Sequence, residues 1–350
     1  MARRHRGALP DLDSDPFRER SGASEYRRMM LLGARIRFES NSRELLQLAD
    51  RAFRGLPRHR LSTPAPDLRI ELVQTSAGQA RKSARARRAP IRAQAPPIVL
   101  LHGAGLLGGA TDSSSFVVLS ARERAALVAV SSEMLKFPYH ARYELIEFAV
   151  YTLAARVQRL VPLHAACIGR GGRGILLIGP SGAGKSTVAL HGLLRGFDFL
   201  SEDSVFVAPH TMRATGAANF LHVRADSLRW IGRGAKTAMI RRSPVIRRRS
   251  GVEKFEVDLR EAGFRLAKSP LKIAAVAFLS PQPAGARPLL RSLSKSELRA
   301  NLAATQAYAA SQPQWQVFDR NVSGLEAFEL RRGRHPLEAV EILGELLAGR

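Results

Sequence analysis

The chain has 350 residues, 45% of them hydrophobic and 24% charged, with a formal net charge of +25. That apolar share supports a packed core and excludes a wholly disordered chain. No stretch reaches the roughly 18 apolar residues that a helical membrane span needs, and the single cysteine, Cys167, excludes an internal disulfide, which points to a reducing cytoplasm.

From the start, Met1–Arg6 is basic but is followed by polar and acidic residues, not by the apolar core of a signal peptide. Residues 1–25 read as a disordered N-terminus. Residues 26–140 read as a small α+β domain: a strand over Met29–Phe38, a helix over Arg43–Phe53 and a strand over Leu68–Val73. Residues 77–96 hold Ala, Arg, Gln, Ser and Pro without apolar periodicity, the pattern of a flexible basic loop. Strands are expected at Ile98–His102 and Phe116–Leu119, with a glycine-rich turn over Gly103–Gly109 between them.

Residues 141–350 read as a second, P-loop domain. Tyr143–Val157 has a helical apolar period, and Leu163–Ile168 and Ile175–Ile178 are strands around a glycine turn at Arg170–Arg173. A helix follows from Lys185 to Arg195 with Gly196 at its C-cap, and Phe199-Leu200 and Val205–Val207 flank an acidic pair. Arg233–Lys254 is a basic loop, read either as a solvated surface or as a lid closing over phosphates. Ile273–Leu279 is a buried strand, Ser294–Glu297 is a capping box opening a helix toward Ala310, Trp315–Phe318 and Ala327–Leu330 are short strands, and Leu337–Leu347 is a closing helix.

Between strand and helix stands Gly179-Pro180-Ser181-Gly182-Ala183-Gly184-Lys185-Ser186-Thr187, which fits the P-loop pattern at every fixed position. Glycines let the backbone fold tightly enough for several N–H groups to face one anion, and the helix N-terminus adds partial positive charge. Lys185 is placed for the β and γ phosphates, and the Ser186 hydroxyl for Mg²⁺. A glycine turn that merely caps a helix is the plainer alternative. The pattern implies a bound nucleotide, ATP with Mg²⁺, without naming a reaction.

From Leu163 to Val207 the sequence resembles the catalytic domain of the HPr serine kinase/phosphorylase family. The resemblance rests on His164 in Leu163-His164-Ala165-Ala166-Cys167, then the P-loop, then Glu202-Asp203, seventeen and eighteen residues beyond Lys185. It implies an α/β fold of the HPr kinase and phosphoenolpyruvate carboxykinase type, with the small α+β domain in front. It also implies Glu202 as general base, His164 hydrogen-bonded beside it, catalytic Lys185, and Asp203 with Ser186 in the metal site. A carboxylate near a γ-phosphate is what transfer to an alcohol requires, whatever the family. The sequence departs from the family in two places. The usual Asp-Asp pair is Glu202-Asp203, and the downstream Glu-x-Arg-Gly stretch is His222-Val223-Arg224-Ala225, where His222 reads as a structural histidine or a metal ligand.

The expected function is an ATP-dependent kinase acting on a hydroxyl, by preference serine, of a protein, peptide or small molecule. HPr itself is not the expected acceptor. The alternatives are a P-loop ATPase, for which Phe199-Leu200-Ser201-Glu202 makes a poor Walker B strand, and a nucleotide-sensing or nucleic-acid-binding regulator. The charge suits polyanions, but no nucleic-acid-reading module accompanies it, so nucleic acid is not the favoured partner. HPr kinases form hexamers; this sequence leaves a homo-oligomer open. Cys167 has no second cysteine or evident base to activate it and reads as a small buried residue.

Overall fold

The computed structural model describes residues 25–75, 99–112, 114–261 and 263–349. The expected loop 77–96 lies outside these, as does the expected disordered N-terminus except for Glu25, which opens a strand.

Alternation builds the first sheet. In β2 (Ala34–Ser40) every second residue is buried, and β1 (Glu25–Leu31) pairs with it as an antiparallel hairpin. Leu45, Leu46, Ala49, Ala52 and Phe53 of helix Arg43–Phe53 pack in the same core as Ile36 and Phe38 of β2. β3 (Asp67–Thr75), β4 (Val99–Gly103), β5 (Leu106–Ala110), β6 (Phe116–Ser120) and β7 (Ala125–Ser131) complete seven strands in the order β1-β2-β3-β7-β6-β5-β4.

The second sheet takes β8 (Val161–Leu163), β9 (Ala166–Arg170), β10 (Arg173–Ile178), β11 (Asp198–Ser201), β12 (Val205–Ala208) and β13 (Arg213–Gly216). A separate three-stranded sheet is made from β14 (Phe220–Val223), β15 (Val245–Arg247) and β16 (Glu253–Asp258). β17 (Leu271–Pro283), β18 (Leu290–Ser292) and β19 (Glu326–Arg332) return to the second sheet, whose centre is the parallel trio β10-β17-β19. Strands buried on both faces need unbroken apolar runs, and Ile175–Ile178 and Ile273–Leu279 supply them. Residues from helices Lys185–Leu194 and Pro336–Ala348 pack in one core of this sheet. Helices Lys295–Thr305 and Trp315–Val322 contribute to another. The fold is mixed α/β.

Several elements differ from the sequence reading. The strand expected at Met29–Phe38 is the β1–β2 hairpin, whose two turn residues, Leu32 (φ 51) and Gly33 (φ 86), are both left-handed. The turn expected over Gly103–Gly109 is only Ala104-Gly105, with Gly108 and Gly109 inside β5. Trp315–Phe318 is the start of a helix, not a strand: Trp315, Phe318 and Val322 recur at helical spacing and pack into one core. Helix Tyr143–Val157 begins with a π-helical turn, Ala141–Glu147. The basic loop Arg233–Lys254 holds a helix, Ala235–Arg242, and the β15–β16 hairpin.

Two further breaks shape the site. The strand expected over Leu163–Ile168 is split at His164-Ala165 into β8 and β9, which take different partners. The helix opening at Ser294 stops at Thr305, and the buried Gln306 clamps His164: its Oε1 accepts from the His164 N–H at 2.8 Å and its Nε2 donates to the His164 carbonyl at 3.2 Å.

Candidate functional site

The glycine loop leaves β10 at Ile178 and enters helix Lys185–Leu194. Gly182 (φ 85) and Gly184 (φ 103) take left-handed backbone that other residues rarely adopt. At Gly179 a Cβ would stand 2.9 Å from the Leu279 carbonyl oxygen, so β17 can approach this closely only because the side chain is absent. Lys185 lies along its own loop, donating from Nζ to the Gly179 carbonyl at 2.6 Å. Burial lowers its pKa, against the pull of the Asp203 and Glu202 carboxylates.

The acidic pair sits on the turn between β11 and β12, and its two members face different partners. Ser186 donates from Oγ to Glu202 Oε1 at 2.5 Å, while Glu202 Oε2 accepts from the His222 backbone N–H at 2.8 Å and lies 3.0 Å from His222 Nδ1. Burial alone would raise the Glu202 pKa; the His222 charge and the hydrogen bonds from His222 and Ser186 outweigh it and bring it down to about 2. Glu202 is therefore a fixed acceptor whose ionised form is favoured by its partners.

His164 is not beside Glu202, as the sequence reading had it. Held at the strand break by Gln306, it places Nδ1 3.1 Å from Asp203 Oδ1, and its side chain is 55% exposed. Tyr143 donates to Asp203 from the other side at 3.4 Å, and Arg248 approaches the same carboxylate at 3.9 Å. The Ser186 hydroxyl, expected to share a site with Asp203, meets Glu202 instead.

Behind Glu202 lies a buried charge network that the sequence reading missed. His222 Nε2 is 3.5 Å from Glu256 Oε1, Arg142 bridges Glu256 and Glu147, and Tyr151 donates to Glu147 at 3.1 Å. Arg51, on the helix of the first sheet, reaches Glu256 at 3.3 Å. Burial opposes the charged form of His222, but Glu202 and Glu256 together hold its pKa above the ordinary value. In Ala141–Glu147 a π-helical turn carries Arg142, Tyr143 and Glu147, a local irregularity often met at functional sites.

The glycine loop from Pro180 to Thr187, Glu202, Asp203, His164, His222 and Arg248 line one cleft of about 920 Å³. Under it, on the helix that follows the loop, His191 is 2% exposed and packs edge-to-face against His335 at 5.4 Å. Burial, with the nearby His335 and Arg195, lowers its pKa to about 4. The unfolded chain thus binds a proton that the folded chain refuses, so stability is complete above about pH 6.5 and falls as pH drops toward 4. Between those values wild type is expected to lose about 1–3 kcal/mol more than His191→Leu, read from urea midpoints at each pH. Equal losses in the two chains would show that the folded state accommodates the charged ring.

No protein-family model matches the chain, and no curated protein matches it. Among solved structures, the HPr(Ser) kinase/phosphatase from Coxiella burnetii matches at 12% identity and a TM-score of 0.27, over 53% of this chain and 94% of that one. A likeness that low carries no argument about what this chain does. Among the described residues, no helix is long and apolar enough to cross a membrane.

Proposed function

We propose that this chain is an ATP-dependent phosphotransferase that moves the γ-phosphoryl group of ATP to a hydroxyl, by preference of serine, on a protein, peptide or small molecule. The observation that carries the reading is two differently held carboxylates beside one phosphate-binding loop. Glu202 is locked and ionised on the P-loop serine, and Asp203 is paired with His164 on the open side of the cleft.

The geometry favours an exchange of the two roles expected from sequence. Glu202 and Ser186, joined by a hydrogen bond, bring together hard oxygen donors of the type that suits Mg²⁺. Among the described residues no three His, Cys, Asp or Glu side chains form a metal cage, so phosphate oxygens would have to complete the shell. Mg²⁺ held there would neutralise charge on the transferring group. Lys185 and the N–H groups of the loop hold the β and γ phosphates in line. Asp203 accepts a hydrogen bond from the acceptor hydroxyl and takes its proton as the oxygen attacks phosphorus, with His164 and Tyr143 fixing the carboxylate's orientation. Arg248, within reach of Asp203, adds positive charge where the transferred group passes.

The test incubates wild type and Lys185→Ala with Mg²⁺ and γ-labelled ATP, with and without fractionated protein, peptide and metabolite pools. Loss of the lysine's charged hydrogen bonds is expected to weaken ATP binding by about tenfold to a hundredfold. Label in a discrete acceptor, with wild type alone, is the expected result. Free phosphate without any acceptor would replace transfer by hydrolysis, and nucleotide binding without either would leave a regulator.

A further inference from the structure

Outside that cleft, a second cavity of about 1650 Å³ is lined by β1, β2, the start of β3 and the turn before β7 in the first sheet. Its wall is strongly cationic. Strand register sets Arg28 opposite Arg37 and Arg37 opposite Arg69, so three guanidiniums line up across three adjacent strands on one face. Like charges directly opposite one another destabilise a sheet. Arg37 is relieved by Glu39 at 2.7 Å, but among the described residues neither Arg28 nor Arg69 has a carboxylate within ion-pair distance.

The row is nonetheless held in order. Arg28 and Arg37 both lie over the Tyr26 ring, at 5.2 and 5.0 Å, which fixes their planes. The same surface already binds a carboxylate in two-pronged fashion: Arg35 donates twice to Asp67, at 2.6 Å each. No described strand pairs with the outer side of β1, which makes it the edge of the sheet among the described residues, and edge strands are the sites at which a further chain can add.

We propose that the outer edge of β1, with the arginine row beside it, docks an extended acidic peptide segment of a partner protein. The partner's backbone would add as a further strand, and alternate residues would then set Glu or Asp directly beside Arg28. A polypeptide is favoured over nucleic acid because an added backbone can exchange main-chain hydrogen bonds with a sheet edge, which a nucleic acid cannot.

The full-length chain would be titrated, by fluorescence anisotropy, with labelled Thr-Glu repeats of about ten residues. Comparison ligands are the Thr-Gln and Thr-Lys analogues, a proline-interrupted acidic peptide and oligothymidine. The acidic peptide is expected to bind at least about tenfold tighter than its glutamine and proline-interrupted analogues. Arg28→Glu, exposed and checked for fold by circular dichroism, weakens it by about tenfold and gains binding of the lysine peptide, whereas Arg69→Glu, about 14 Å from the added strand, weakens it far less. The proposal is overturned if the acidic peptide does not bind, if Arg28→Glu leaves its affinity unchanged, or if the proline-interrupted peptide binds as well. Tighter binding of oligothymidine, lost in the same two variants, overturns it in favour of a nucleic-acid surface. None of these readings uses phosphotransfer, so they stand or fall separately from the activity of the cleft.

Discussion

Asp203→Asn is expected to lower the rate of phosphoryl transfer by about 10²–10⁴-fold, the range typical of a lost general base, while ATP binds almost unchanged. The side chain lies 3.1 Å from His164 on the open side of the cleft, and the amide keeps its shape but cannot take a proton. Glu202→Gln should behave differently. Its carboxylate holds the Ser186 hydroxyl at 2.5 Å and faces the buried, positively biased His222, so its loss falls first on Mg²⁺-dependent nucleotide affinity. Measuring kcat and the ATP dissociation constant, with and without Mg²⁺, separates the two. If Glu202→Gln destroyed transfer with metal-dependent binding intact, and Asp203→Asn did not, the sequence-based assignment of Glu202 as base would return.

Arg142→Met is expected to cost about 3–5 kcal/mol, because it leaves Glu147 and Glu256 charged, buried and without their main partner. For a chain of this size that is a fall in melting temperature of about 4–7 °C. Arg142 is 2% exposed and also stacks on Phe220 at 4.2 Å, so methionine, which keeps apolar contact, isolates the charge better than alanine. Burial raises the Glu147 pKa already, and removing the guanidinium raises it further, so the variant should recover part of its loss at low pH as the carboxylate protonates. A cost below about 1 kcal/mol would mean that water enters and solvates the pair.

What the sequence disclosed about the site is mostly local. The glycine loop, Lys185, Ser186 and the acidic pair all lie within eighteen residues of Lys185, and chain proximity alone brings them together. Runs such as Ile175–Ile178 and Ile273–Leu279 announced central strands because both faces are covered. Partner choice was not legible. Which histidine meets which carboxylate depends on a strand break at His164 that Gln306, 142 residues away, holds in place. The Arg142–Glu256 bridge joins residues 114 apart, and neither belongs to any short pattern. Trp315–Phe318 misled for a different reason: four residues are too few to tell a helical period from a strand's.

Glu256 receives Arg51 from the helix of the first sheet, Arg142 from the π-helical turn, and His222 from the small third sheet. These three elements therefore cannot be exchanged independently. A chimera that grafts another first sheet onto this cleft must bring its own cation at position 51, or strand one oxygen of a buried carboxylate two side chains away from the Ser186 hydroxyl. A crossover after Val157 would carry away Arg142 and Glu147 together with Arg51, whereas one just before Ala141 leaves only the cation at position 51 to be supplied.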